Sequence, residues 1–397
     1  MVLRFTSHLT ANKRVVLRDS YRSTSLGFST LFRANASPYG RSNLEFSPNS
    51  MHKPSSIPDK VPHYRFIDIA VNLTDPVFRG TYRGKQKHED DMSSMLERAR
   101  HAGVRSLIIT GTSLEESREA VLLAEQLGFY CTVGCHPTRV TEFDEYKGGS
   151  ESYLLALEEM IANHRHGKGR AVAIGECGLD YDRLHFAPQD VQKKYFRSQL
   201  SLAKKYHLPL FLHSRAAHSD FVAILREEGF GSDGGSAVGG QGGVVHSFTG
   251  SPEEALELMD MGFYIGHASS INGCSLKTEE NIRTAKVIRP DRLLFETDAP
   301  WCSMTGGHSS KQYLSSLSPA LKDSYFPPST KSENFVLGKA VKGRNEPCSV
   351  GSVAWVLSIL QDMPLETVTE TAFKNTVDLF ALDLDEEQQS YSSIDDS

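Results

Sequence analysis

Eight short apolar runs recur along the middle of the chain, and each is followed by a segment with the spacing of an amphipathic helix. In "EDDMSSMLERARHAG", for example, apolar residues recur three and four positions apart. Near-continuous apolar strands that alternate with helices are typical of a parallel sheet covered by helices. The runs are, in order, YRFIDIAV, SLIITG, YCTVGC, AVAIGE, LPLFLH, GVVHSF, FYIGHA and LLFETDAP.

Eight such units in succession predict an α/β chain folded as a (β/α)8 TIM barrel. An open doubly wound sheet is the alternative, but no GxGxxG motif follows the first run, which weakens that alternative. A length of 397 residues with 39% hydrophobic residues allows one barrel with insertions or two domains. We expect the barrel to span residues 64–382, with insertions near 229–243 and 303–342.

The two ends of the chain differ in composition from the middle. Residues 1–50 are rich in arginine, serine and threonine, which fits either a disordered extension or an organellar transit peptide. Residues 383–397 are acidic and polar, and we expect a disordered tail there. The expected location is therefore cytoplasmic or nuclear, or an organelle (mitochondrion or chloroplast) if residues 1–50 direct import.

Overall composition restricts the class of protein. No apolar run is long enough to cross a bilayer, so we expect a soluble monomer that does not bind membranes. The six cysteines form no CxxC pair, which suits a reducing compartment. A net charge of −6 argues against a generally basic surface for nucleic acid but leaves room for a local basic groove.

Ionisable residues occupy the ends of several predicted strands. Glu176 closes the fourth run, His213 the fifth, His246 the sixth and Asp298 the eighth, while Asp68 lies within the first. In a (β/α)8 barrel these positions converge on the C-terminal mouth, where active sites are built. Two imidazoles and two or three carboxylates together suit zinc, manganese or magnesium. The sequence therefore predicts a divalent-metal site at the mouth.

Each candidate residue also has a structural interpretation. A single histidine at a strand end is more often a hydrogen-bonded structural residue, and a single aspartate is more often a helix cap. Glu176 is harder to explain in this way, because glutamate is rarely buried without a partner. His136, which ends the third run, either lines the mouth or forms the turn before Pro137. His267 we expect to be structural.

An ordered set of motifs resembles the TatD family of metal-dependent deoxyribonucleases. The resemblance covers residues 64 to 382 and implies a TIM-barrel metallohydrolase that acts on DNA, as a magnesium-stimulated 3′-to-5′ exonuclease on single strands. It also implies that Glu176, His213, His246 and Asp298 are metal-site residues. The motifs are FIDIAVNL, LIITGTSLEES, VGCHP, AIGECGLDYDR, PLFLHSR, VVHSFTGSPEE, YIG, LLFETDAPW and GRNEP.

The first strand departs from the common pattern of the family. Many members carry Asp-x-His-x-His there, whereas this chain has Asp68, Ala70 and Asn72 at those positions. A subgroup of the family resembles this Asp-x-x-x-Asn-Leu form. We therefore expect one metal held firmly by Glu176, His213 and His246, with Asp68 retained as a candidate ligand. A second, weaker ion is expected near Glu176 and Asp298 when substrate is present.

Roles in hydrolysis follow from these positions. We expect Asp298 to take the proton of the attacking water, with Glu176 holding the metal and His136 donating to a phosphate oxygen or the leaving group. Arg215, Asn72 and Arg344 are candidate substrate-binding residues, although an ion pair fits Arg215 equally well and fits Arg344 better.

Three functions stay open at this point. The first is a nuclease with single-stranded DNA as partner. The second is a metallohydrolase of a small ester, amide or aminoacyl substrate, because a fold does not determine its substrate. The third is a non-catalytic binding protein, which only the two missing first-strand histidines favour. The basic segment "FRGTYRGKQKH" is interpreted either as a loop that follows a phosphate backbone and stacks bases or as a solvated loop.

Overall fold

A computed structural model describes residues 64–165, 167–267, 276, 278–302 and 308–384. The expected extension of residues 1–50 and residues 385–397 of the expected tail lie outside the described residues. The predictions for them therefore stay predictions.

Eight parallel strands of the described chain form a single sheet in strictly sequential order, which confirms the predicted barrel. The first strand also returns to the last: Val71 bridges Ala299 in parallel, and the Asn72 N–H donates to the Ala299 carbonyl at 2.8 Å. The sheet thereby curls into a nearly closed cylinder. The strands are β1 Phe66–Val71, β2 Val104–Ile109, β3 Tyr130–Val133, β4 Ala171–Asp180, β5 Leu210–Arg215, β6 Gly243–Val245, β7 Tyr264–His267 and β8 Leu293–Phe295.

Helices follow the strands, and local sequence signals set where several of them begin and end. The second helix begins at Ser113, whose side chain accepts from the Glu116 N–H, and ends at Gly128 in a left-handed conformation. A capping box of Ser251 and Glu254 starts the seventh helix. The helices of the described chain are α1 Met92–His101, α2 Leu114–Leu127, α3 Glu142–Glu145, α4 Gly149–His164, α5 Gln189–Tyr206, α6 His218–Glu227, α7 Pro252–Asp260, α8 Glu279–Val287, α9 Lys311–Leu314, α10 Pro319–Tyr325, α11 Val350–Leu360 and α12 Leu365–Phe380.

The core has two layers because both faces of the strands are covered. A smaller cluster unites strand residues such as Ile69, Val172 and Phe211 with Phe373 and Phe380 of α12. A larger cluster packs the helices against the other strand face. Each large apolar side chain removed from water contributes about 1.5–3 kcal/mol, so these layers hold the mouth of the barrel on a rigid base.

The predicted insertions fall at different ends of the barrel. The glycine-rich stretch contains a 3-10 turn, Asp233–Val238, and leads into the start of β6, so it lies away from the mouth. The described part of the 303–342 insertion follows β8 on the mouth side and contains α9, α10 and a two-stranded pair, Ser329–Thr330 with Ala340–Val341. No single helix within the described ranges has the length and apolarity to cross a membrane. One pair, Pro347–Leu360 and Leu365–Phe380, passes that test jointly but is bent by 117°.

Candidate metal centre

Glu176 reaches the mouth because two glycines let β4 lie unusually close to β5. Gly175 and Gly178 have φ values of 143° and 145°. A Cβ atom at either position would overlap a carbonyl oxygen of β5, that of Phe211 or that of His213. The glycines around Glu176 in "IGECGLD" are therefore required by the close approach of two backbones.

Three imidazoles surround one oxygen of Glu176. His213 Nδ1 lies 2.9 Å, His246 Nε2 2.7 Å and His136 Nε2 3.3 Å from Glu176 Oε1. Glu176, His213 and His246 are buried, and the Phe211 ring stacks on the His246 ring with centroids 4.8 Å apart. The structure thus brings together residues from β4, the end of β5 and the position after β6, which are far apart in the sequence.

Two further carboxylates lie behind these histidines, and neither is among the candidate residues predicted from the sequence. Asp180 Oδ2 is 3.4 Å from His213 Nε2, and Glu296 Oε2 is 3.6 Å from His246 Nδ1. All four atoms are buried and have no hydrogen-bond partner within the described structure. A signal existed for both: Asp180 is four residues after Glu176 on the same strand, and Glu296 is two residues before Asp298.

These outer carboxylates determine which ring nitrogen of each histidine carries the proton. A neutral imidazole has one N–H donor and one lone pair. A carboxylate this close to the outer nitrogen favours the neutral tautomer with its proton there, which leaves the lone pairs of His213 Nδ1 and His246 Nε2 directed at the Glu176 oxygen. The three inner atoms lie within 4.8 Å of one another. A carboxylate oxygen and two imidazole lone pairs repel one another unless a cation lies between them, so these residues fit a divalent metal.

His136 differs from the other two histidines. Its Nδ1 accepts the Thr138 N–H at 3.1 Å, so the neutral ring carries its proton on Nε2. His136, Asp180 and His213 form a second group with metal-ligand spacing. Because His136 Nε2 is protonated in this tautomer, His136 is better suited to donate a hydrogen bond than to bind a cation.

The electrostatics of the centre follow from burial and from these pairs. Burial opposes the charge of Glu176, but His246, His136 and His213 together hold its pKa well below the usual value. Burial likewise opposes charge on His246, yet Glu176 and Glu296 raise its pKa well above the usual value. A proton and a divalent cation compete for the same nitrogen, so metal affinity is expected to fall in acid.

Asp298 follows the last strand and faces the same cavity. Its Oδ1 accepts from Asn72 Nδ2 at 3.0 Å and its Oδ2 accepts from Cys302 Sγ at 2.8 Å. Burial raises the pKa of Asp298, and the charge of His246 only partly opposes that increase.

The backbone is strained at three positions around the mouth. Asp298 has a φ of 55°, and Ala216 and Ser247, which follow Arg215 and His246, also have positive φ values of 50° and 46°. Such backbone strain in residues other than glycine is concentrated at functional sites.

Asp68 is placed differently from the other candidate ligands. Its carboxylate is fully buried and bonds to Thr297: Oδ1 accepts the N–H at 2.9 Å and Oδ2 pairs with the hydroxyl at 2.5 Å. Burial raises the pKa of Asp68 to about 8. Among the described residues it belongs to neither ligand group. Its expected role as a ligand stays a prediction, and its contacts support a structural role that joins β1 to the segment after β8.

A cavity of about 890 Å³ opens above the centre. Its lining includes all of the inner residues together with Asn72, Asp298, Arg215 and Arg183. This volume is within the range of about 300–1,000 Å³ that small-molecule sites occupy. Arg215 Nη1 lies 3.8 Å from Asp180 Oδ2, which leaves the other donors of this guanidinium available to an anionic substrate.

Arg344 does not line this cavity. Its guanidinium is buried and donates to Asp91 Oδ1 at 2.7 Å, to Glu346 Oε1 at 2.8 Å and to the Val77 carbonyl. The substrate-binding role expected for Arg344 therefore stays a prediction that this placement does not favour. Phe78, at the start of the basic segment, is also buried, beneath Arg344, so it does not support the interpretation in which this segment stacks bases.

This chain is similar in sequence and in structure to several known proteins. The model of the family described as "TatD related DNase" matches residues 67–381. "Deoxyribonuclease Tat-D" of Schizosaccharomyces pombe is 44% identical over 318 residues, which cover 80% of this chain and 96% of that protein. "3'-5' ssDNA/RNA exonuclease TatD" of Erwinia tasmaniensis is 36% identical over 238 residues, covering 59% of this chain and 80% of that protein. A solved structure described as an uncharacterized amidohydrolase from Saccharomyces cerevisiae has a TM-score of 0.71 and 35% identity, covering 80% of this chain and all of that one.

Proposed function

This chain belongs to the TatD-related DNase family, and we propose that it is a divalent-metal-dependent deoxyribonuclease that removes nucleotides from the 3′ end of single-stranded DNA. The observation that carries the proposal is the convergence of Glu176, His213 and His246 on one point at the base of an open cavity. The names of the S. pombe and E. tasmaniensis relatives support phosphodiester hydrolysis and the 3′-to-5′ direction.

Glu176 Oε1, His213 Nδ1 and His246 Nε2 are the atoms that would hold the cation. A bound Mg²⁺, Mn²⁺ or Zn²⁺ supplies Lewis-acid chemistry, which makes a water more acidic and polarises a phosphoryl oxygen. With only one carboxylate and two imidazoles from the protein, open positions remain for water and substrate. A second cation near Glu176 and Asp298 is part of the proposal for the substrate-bound state.

Asp298 is proposed to accept the proton of the attacking water. The pKa raised by burial makes its carboxylate a stronger base than an exposed aspartate, which suits general-base catalysis near neutral pH. Asn72 Nδ2 and Cys302 Sγ fix the orientation of the carboxylate. Asn72 thus acts through Asp298, although its position in the cavity also allows a direct contact with substrate.

His136 and Arg215 are proposed to act on the phosphate. The Thr138 N–H keeps His136 in the tautomer with a proton on Nε2, so this nitrogen donates to a non-bridging oxygen or to the departing 3′-oxygen. The Arg215 guanidinium provides a planar pair of donors for a second phosphate oxygen. Both side chains already line the cavity, so neither role requires the strands to move.

The test is cleavage of a defined single strand with magnesium, with manganese and with EDTA. A 5′-labelled oligonucleotide should shorten in a ladder, while a 3′-labelled one should release labelled mononucleotide at once, in both cases only with metal. Glu176→Gln and His213→Ala should lose at least a hundredfold in rate, and Asp298→Asn should lose rate without losing the cation held by Glu176, His213 and His246. Glu253→Gln, an exposed residue at the start of α7, is the matched control.

Three outcomes would contradict the proposal in different ways. Intact oligonucleotides together with metal-dependent hydrolysis of small esters or amides would favour the alternative metallohydrolase. A purified protein that contains no metal and shows no turnover would indicate a binding protein. Cleavage of RNA as fast as DNA would widen the substrate class to single-stranded nucleic acid.

A further inference from the structure

A large aromatic side chain stands exposed beside the candidate general base. Trp301 is 54% exposed and lines the cavity above the metal centre. The other tryptophan, Trp355, is partly buried against the protein, and its Nε1 donates to the Tyr313 carbonyl. Single exposed apolar side chains are normal on a protein surface, but Trp301 is the one among the exposed large apolar side chains of the described residues that lines this cavity.

The backbone beneath Trp301 is firmly held. Its N–H donates to the Asp298 carbonyl at 3.0 Å, and the neighbouring Pro300 carbonyl accepts the Asn345 N–H at 2.9 Å. Ala299, two residues earlier, bridges β1. The indole therefore projects from a fixed point close to Asp298, and a rigid aromatic surface loses little conformational entropy when it binds a ligand.

The order of the strands places Trp301 opposite the cavity arginines. Trp301 follows β8, and Arg183 follows β4, which is four strands away around an eight-stranded barrel. Arg215 ends β5, next to β4. The candidate metal centre opens into the same cavity as this aromatic wall and this basic wall. A nucleotide has the same arrangement, with an anionic phosphate at one end and an aromatic base at the other.

Acidic side chains on a third wall of the cavity disfavour phosphates on that side. Glu115, Glu116 and Glu119 of α2 line the cavity on the β2 side. Arg118 and Arg139 pair with Glu115 and Glu116, but the three glutamates outnumber these two arginines, so phosphates are favoured on the side of Arg183 and Arg215. A phosphate at the metal centre then directs its attached base across the mouth, toward the Trp301 wall.

We propose that Trp301 is the base-stacking site of this enzyme: it packs against the nucleobase next to the phosphate that is cleaved. The inference rests on the proposed nuclease function and deepens it by assigning the part of the site that recognises unpaired bases. Bases in a duplex are already stacked on one another, whereas the base of a free single-stranded end can stack on the indole. Trp301 therefore selects single-stranded ends of any sequence, because every base has an aromatic face.

A combined series of protein variants and substrates tests this site. Trp301→Ala should raise KM for a single-stranded oligonucleotide by about 5- to 150-fold, which is the range for loss of one stacked base. Trp301→Phe, which keeps an aromatic face, should recover most of that loss. On oligonucleotides that carry an abasic residue at one of the three positions nearest the 3′ end, the penalty for Trp301→Ala should disappear at one position. An equal penalty on abasic and normal strands at all three positions would overturn the inference.

Fluorescence separates this inference from the proposed function. In the Trp355→Phe variant Trp301 is the one remaining tryptophan, and in EDTA a bound strand is not cleaved. Oligothymidylate should quench its emission in a saturable manner, and an abasic oligomer of equal length and charge should not. Quenching by thymidylate alone would support stacking even if no nuclease activity were found. Equal quenching by both oligomers, or by neither, in a protein that cleaves DNA would overturn the stacking site and leave the proposed function intact.

Discussion

Replacement of Glu296 by glutamine tests how the protein prepares His246 for a metal. Glu296 Oε1 accepts the Ser247 N–H, and Glu296 Oε2 lies 3.6 Å from His246 Nδ1. Glutamine has the same shape and keeps an acceptor for Ser247, but it presents an NH2 group to His246 Nδ1. The amide stabilises the tautomer in which His246 Nε2 carries the proton, and that proton occupies the lone pair directed at Glu176.

The expected magnitude follows from the position of Glu296 behind a ligand. Loss of such an outer partner lowers metal affinity by about 10- to 100-fold. At 1.36 kcal/mol per factor of ten this corresponds to about 1.4–2.7 kcal/mol of binding free energy. Direct loss of the ligand in Glu176→Gln should cost more than that. Glu296 is fully buried, so solvent screening does not reduce the effect.

Calorimetric titration of the metal-free protein with Mn²⁺ measures this effect without the catalytic reaction. Asp180→Asn should behave like Glu296→Gln, because Asp180 stands behind His213 in the same way. Glu253→Gln should bind like the wild type. A Glu296→Gln protein with wild-type Mn²⁺ affinity and wild-type melting temperature would refute the argument from tautomers, even if Glu176→Gln lost binding.

Three further predictions concern other parts of the molecule. Arg344→Met leaves the buried carboxylate of Asp91 without its bidentate partner, while Glu346 keeps its pair with Arg98, so the change should lower the free energy of unfolding in urea by about 3 kcal/mol with KM for DNA unchanged; a raised KM with normal stability would restore the substrate role. Burial lowers the pKa of His267 to about 3, so below pH 6.5 the unfolded chain binds a proton that the folded chain does not. Wild-type stability should therefore decline in acid by about 1.4 kcal/mol per pH unit more steeply than that of His267→Leu, and parallel curves between pH 7 and pH 4.5 would contradict this assignment. Exchange of the exposed Arg83, Lys85 and Lys87 for glutamine should reduce the slope of the salt dependence of single-strand binding by about 2, whereas an unchanged slope would show that the basic segment is a solvated loop.

The barrel was predictable because its signal is repeated along the chain. Every strand is a short apolar run and every run is followed by a helix pattern, so an error in one unit does not alter the conclusion. The convergence of the main candidate ligands was predictable for a related reason: Glu176, His213 and His246 interrupt apolar strands or follow them directly, where a charged or polar residue needs a partner.

The role of the outer carboxylates and the ion-pair partners of Arg344 could not be inferred in this way. Glu296 and Asp180 sit on strand ends that already contained a stronger candidate, and their importance appears only from distances across the barrel. Arg344 is in a loop, and its partner Asp91 precedes α1, more than 250 positions away along the chain. Pairing between distant loops depends on how the loops pack, which no local pattern in the sequence encodes.

The most direct measurement is the anomalous diffraction of crystals soaked in Mn²⁺ and collected at the manganese absorption edge. We predict a peak bonded to Glu176 Oε1, His213 Nδ1 and His246 Nε2, at about 2.0–2.3 Å from each, and loss of this peak in Glu176→Gln crystals. A peak held by other residues, or an unchanged peak in Glu176→Gln, would contradict the central claim that these three side chains form the metal centre.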